Sequence, residues 1–142
     1  MIQDNRPGDQ LVMVFWLSPP MIEDKSAQAM LESNLILGVL NSRIGGDGKA
    51  SFASDAQVTV KDANGNVLRE IKDEDLTPTL SGGLHAMEAV FRQALGPMGQ
   101  GFHWFVFDGA SVHACSPGSG FSVQFAGTNY TYDTPVPGCT KS

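Results

Sequence analysis

Basic residues are scarce in this chain. Nine Lys and Arg face fifteen Asp and Glu, giving a formal net charge of −6. An acidic chain repels phosphate backbones and anionic lipid, and no Lys/Arg cluster offsets this locally. Nucleic acid and membrane surfaces are therefore poor expected partners. Long apolar runs are missing too: the stretch Leu11 to Leu17 falls far short of the ~20 residues that a membrane-spanning helix needs. Charged residues make up 17% and hydrophobic ones 42%. That is enough apolar surface to offset chain entropy, so disorder is not expected. Neither cysteine pair spacing nor glycine-rich loops supply a known device. There is no Cys-x-x-Cys for a redox or zinc motif. Gly45 to Ala50 has the wrong spacing and ending for a phosphate loop, and no Gly-x-Ser-x-Gly elbow occurs.

What remains has the size of one domain, residues 1–142, with a core at about 10–108 and a tail at about 109–142. The two cysteines, Cys115 and Cys139, lie in the Gly/Ser/Thr/Pro-rich last third, away from apolar runs where free thiols usually sit. A disulfide between them is the expectation, and it implies an oxidising compartment. The polar opening Met1 to Asp9 lacks the apolar centre of a signal peptide. Together these point to a processed chain that works in the periplasm or outside the cell.

Leu11 to Leu17 is apolar on both alternating faces, as a central strand is, and Ser18-Pro19-Pro20 ends it. From about Asp24 to Ile44 a broad apolar band predicts one helix, stopped by Gly45-Gly46, with Gly38 marking a close neighbour. Asn64-Gly65 between Val58–Lys61 and Val67–Ile71 predicts a hairpin, and Ala50–Ala53 a short extra strand. A second helix is predicted from about Gly83 to Leu95, capped by Ser81 and ended by Gly96-Pro97. Phe102–Phe107 reads as a strand turning at Asp108-Gly109 into Ser111–Cys115, followed by short strands at Phe121–Phe125 and Tyr130–Tyr132.

The fold class is thus α+β, two helices on an antiparallel sheet. The order to Phe107 resembles the β-α-β-β-α-β order of ferredoxin-like folds, extended by a C-terminal β tail pinned by the disulfide. RNA-recognition domains of that order stack bases on third-strand aromatics, and Val67–Ile71 has none. Metal-carrying domains of that order place a Cys pair after the first strand, where this chain has Ser18-Pro19-Pro20-Met21.

His103 and His113 flank the Asp108-Gly109 turn, and a two-residue loop there would put them on opposite faces. His85, Glu88 and Arg92 share the polar side of the second helix, with Glu88 and Arg92 at i, i+4. Asp62-x-Asn64-x-Asn66 begins like a calcium loop, but Val67 stands where the sharp turn requires glycine. Gly82-Gly83 before the second helix offers backbone N–H groups to an anion. Asn129-Tyr130-Thr131 fits a glycosylation acceptor. Helices cover one sheet face only. The face around Trp104, Tyr130 and Tyr132 is either covered by the tail or open as a protein-binding patch.

No nucleophile–base pair or metal-ligand spacing survives these tests. The expectation is a non-catalytic binding or accessory domain with no metal and no cofactor, using Trp104, His113, Tyr130 and Tyr132 toward a protein partner or a second copy. The competing reading is a small metal-dependent or acid/base hydrolase built on His103, Asp108 and His113.

Overall fold

The computed structural model describes residues 2–7, 10–21, 24–44, 50–52, 57–136 and 139. Among the described residues two α-helices, α1 (Lys25–Ser33) and α2 (Pro78–Ala94), accompany nine strands in two antiparallel sheets. The main sheet runs β1 (Ile2–Arg6), β2 (Gln10–Trp16), β3 (Asn34–Ile44), β7 (Phe102–Asp108) and β6 (Glu70–Ile71), with β4 (Ala50–Phe52) added at the end of β3. The second sheet orders β5 (Thr59–Asp62), β8 (Phe121–Phe125) and β9 (Thr128–Tyr132).

Three layers result. Alternation along β2 and β3 sends Val12, Val14, Trp16, Leu35, Leu37 and Val39 to one face, where they meet Val60, Phe121, Val123, Phe125 and Tyr130 of the small sheet. Phe15, Ile36 and Val106 go to the other face, under Leu31 of α1 and Leu80 and Leu84 of α2. The tail does cover the second face of the main sheet, with help from β5.

The ferredoxin-like order is not what forms. Each helix is the long loop of an antiparallel pair, not a crossover between parallel strands. Trp16 of β2 faces Leu37 of β3 across α1, and Ile71 of β6 faces Val106 of β7 across α2.

The first predicted helix is really a helix and a strand. Asp24 caps α1 by accepting from the N–H groups of Ser26 and Ala27. Asn34 ends it, its Nδ2 donating to the Met30 carbonyl at 2.9 Å while its backbone is already extended (φ −124°, ψ 126°). Leu35 to Leu40 is apolar at nearly every position because β3 is buried on both faces, and such a run carries no period to separate strand from helix. Gly38 makes the predicted close approach: a Cβ there would lie 2.5 Å from Phe102 Cζ and 3.1 Å from Trp104 Cζ3. Helix α2 starts earlier than predicted. Thr77, not Ser81, is the cap, its Oγ1 accepting from the Leu80 N–H at 3.2 Å, and Pro78 fills the first turn.

The predicted Ser111–Cys115 strand does not form, because both edges of β7 are taken where it ends. Asn34 pairs with Asp108 on one side, and the Asp108 N–H donates to the Arg69 carbonyl on the other. The chain turns away instead, with the Gly109 N–H donating to the Ser33 carbonyl. Residues 109–120 are irregular and tied down by the Cys115–Cys139 disulfide. The Asn64-Gly65 hairpin is short: Lys61 bridges Val67, and the return strand then crosses to the main sheet as β6.

Candidate functional site: the groove between α2 and β7

Strand β6 is two residues long and pairs only with Val106 and Phe107, although β7 has seven residues. Beyond β6, a groove of about 350 Å³ borders β7 in place of a strand. Ile71, Leu76, Leu84, Trp104 and Val106 give it an apolar floor; Glu70, Lys72, His85, Glu88 and His103 give it a polar rim. Small-ligand and peptide sites commonly combine such walls with a few polar groups.

The elements hold these side chains in distinct ways. Leu84 lies on the buried stripe of α2, so His85 and Glu88 follow on the side toward the rim. Glu88 accepts from Arg92 Nη2 at 3.1 Å, the expected i, i+4 pair, and the same nitrogen donates to the Phe102 carbonyl at 3.1 Å. That second bond ties α2 to the start of β7. Trp104 is wedged in an aromatic cluster, with Phe102 at 5.1 Å, Phe91 at 5.6 Å and Phe15 at 6.3 Å between ring centroids. Its indole Nε1 is buried with no acceptor among the described residues. The glycine at position 38 leaves the room this cluster fills.

Trp104 is therefore on the helix side of the sheet and does not share a face with Tyr130 and Tyr132. Those two lie in β9, against the opposite face. Tyr130 donates to Asp4 Oδ2 at 2.7 Å and accepts from Arg6 Nη2 at 3.0 Å, while Arg6 also reaches the Ala126 carbonyl at 2.8 Å. This network staples β1 to the small sheet. The Tyr130 hydroxyl, and then Arg6, hold the Asp4 carboxyl below its usual range. Tyr132 donates to the Val14 carbonyl at 2.6 Å, and burial pushes its phenol up to about 12. Burial also raises Tyr130, with the Asp4 bond adding to it.

These are the only two tyrosines in the chain. Tyrosinate absorbance of the folded protein at 295 nm is thus expected to rise at higher pH than the ordinary phenol value of about 10, with the Tyr132 step near 12. In denaturant the rise should centre near 10. Because the folded values are raised, the stability tied to the neutral phenols is complete below pH 10 and is lost as pH climbs toward 12. A folded-state midpoint at 10 would mean that neither hydroxyl is held as described.

The three residues of the hydrolase reading are not brought together. His103 lines the α2/β7 groove; His113 is exposed and lines a different hollow, beside Trp16 and Cys115. Asp108, five residues along β7 from His103, stands roughly 17 Å away at strand rise, its Oδ1 accepting from the Ala110 N–H. Among the described residues no group of three or more His, Cys, Asp or Glu is placed to hold a metal ion. Asp62 uses its carboxylate on its own turn, accepting from the N–H groups of Asn64 (2.9 Å) and Asn66 (3.0 Å), and the Asn66 bond leads in lowering its pKa. Gly82 and Gly83 fall inside α2, where helical bonding uses their N–H groups. Asn129 and Thr131 are exposed on β9, either side of the inward Tyr130.

Searches against protein-family models, curated proteins and solved structures gave no match.

Proposed function

We propose that this chain is a non-catalytic, extracytoplasmic binding domain, periplasmic or secreted, that takes an extended segment of a protein partner alongside β7. The observation that carries this reading is the mismatch between a two-residue β6 and a seven-residue β7. A guest strand continuing the line of β6 would extend the main sheet along His103–Phe105, with main-chain bonds supplying affinity. Alternate guest side chains would then meet the apolar floor at Trp104, Leu84 and Leu76, which supplies selectivity. The mixed charges of Glu70, Lys72 and Glu88 at the rim favour a segment with polar flanks. The Cys115–Cys139 bridge supports the compartment, since disulfides persist where the surroundings are oxidising.

The test is amide hydrogen exchange on the natively produced protein with the partner that co-purifies with it. Exchange at the Trp104 amide, which by the alternation from the Asp108 N–H faces the open edge, is expected to slow in the complex, and His103→Glu to weaken that complex by about tenfold or more. A complex that forms with unchanged exchange at Trp104 would place the interface elsewhere. Intact mass after alkylation, with and without reduction, checks the compartment. Two free thiols in the native protein would remove the extracytoplasmic part of the reading.

A further inference from the structure

Main-chain groups of β7 alternate between its two flanks, and one bond fixes which go where. The Asp108 N–H donates to the Arg69 carbonyl, so the N–H and carbonyl groups of Val106, Trp104 and Phe102 also face the β6 side. Most of these are already occupied. Val106 lies opposite Ile71 in β6. The Phe102 N–H donates to the Gly99 carbonyl, and the Phe102 carbonyl accepts from Arg92 Nη2 at 3.1 Å. Between these two stops stands Trp104, whose N–H and carbonyl have no partner among the described residues. The open part of this edge is therefore one residue long.

A guest residue that continues the antiparallel line of β6 and lies opposite Trp104 meets both groups at once. Its N–H donates to the Trp104 carbonyl, and its carbonyl accepts from the Trp104 N–H. Opposite residues share a face, so its side chain goes to the helix side, onto Ile71, Leu76 and Leu84. Its two neighbours in the guest point to the other face. The groove is about 350 Å³, and an apolar cavity of about 150 Å³ holds a benzene ring, so one phenyl side chain fits with its backbone. Trp104 already takes Phe91 and Phe102 edge-on, at 83° and 89° between ring planes, an arrangement that a further ring can join. The rim charges balance in sign, Glu70 against Lys72 and Glu88 against Arg92, which matches an uncharged guest.

We infer that the groove is a slot for a single aromatic residue of an uncharged, extended partner segment, which runs antiparallel to β7 and pairs its main chain with that of Trp104. This rests on the edge-pairing reading above and narrows it from a strand to one anchor residue.

The probe is acetyl-threonyl-phenylalanyl-threonine methylamide, with three relatives. One carries a methyl on the phenylalanine nitrogen, one carries it on the nitrogen of the second threonine, and one has alanine in place of phenylalanine. The readout is the backbone amide resonance of Trp104 in the full chain, titrated with each. The parent is expected to move that signal in a saturable way. A methyl on the phenylalanine nitrogen removes the donor to the Trp104 carbonyl and should weaken binding about tenfold. A methyl on the following nitrogen, which points away from β7, should leave affinity within about twofold. Alanine should weaken binding about tenfold or more, because the apolar floor loses its ring. No saturable shift at Trp104, equal losses from the two methyl placements, or an alanine relative that binds like the parent would each overturn the slot. If exchange at Trp104 still slows in the partner complex, the edge pairing then stands and the single anchor alone fails. If that exchange is unchanged too, both fail together.

Discussion

Replacing both cysteines, as Cys115→Ser with Cys139→Ser, is expected to lower stability by about 3.5 kcal/mol. The bridge spans a sequence separation of 24 residues, and cross-linking a loop of that length removes about this much unfolded-state entropy. The loss should be unevenly felt. Residues 109–120 hold no strand and no helix, so few ladder bonds replace the missing covalent tie. Amides of Val112, Ser116 and Val136, whose N–H groups close local turns or reach across to the tail, should exchange faster than before. Those of β3, paired on both sides, should keep most of their protection until global unfolding. Urea denaturation of the two proteins gives the size of the effect, and exchange gives its location. A loss below about 1 kcal/mol would mean that noncovalent seating alone fixes the segment.

Much of this architecture was legible locally. β2, β7 and β8 announce themselves by apolar runs between turn residues, and the disulfide by two cysteines in a polar tail. What escaped was set by distant partners. β1 reads Ile2-Gln3-Asp4-Asn5-Arg6, nearly all polar, because its inward residues Asp4 and Arg6 meet Tyr130 through hydrogen bonds instead of apolar contact. β3 reads as helix because burial on both faces erases its period. The groove was legible in residue type, since His85, Glu88, His103 and Trp104 all stood out, but not in place. Its existence depends on β6 stopping after Ile71, and it joins residues 70–72, 84–88 and 103–106, which are far apart in sequence. The tryptophan and the tyrosines, grouped on one face by composition, were separated by the one-residue alternation of β7 and by the tail folding back over the other side.

The same glycine-to-alanine change is expected to have opposite signs at two positions. Gly109→Ala should destabilise by about 2–3 kcal/mol, and Gly82→Ala should stabilise by about 0.5–1 kcal/mol. At Gly109 a Cβ would sit 2.8 Å from the Leu35 nitrogen and 3.0 Å from the Asn34 carbonyl carbon. Those are backbone atoms at the start of β3, paired there with Asp108 and Phe107 of β7, and they cannot swing aside as a flexible side chain can. The segment after β7 must lift instead, breaking the Gly109 N–H bond to Ser33 and opening the wall beside Trp16. At Gly82, inside α2, a Cβ meets nothing within 4 Å, so alanine only improves helix propensity and restricts the unfolded chain. Denaturant midpoints measure both changes, and Trp16 accessibility to a soluble quencher reports the opened wall in the first alone. If Gly109→Ala proves neutral, the segment is not seated on β3, and the hollow beside Trp16 loses the support that shapes it.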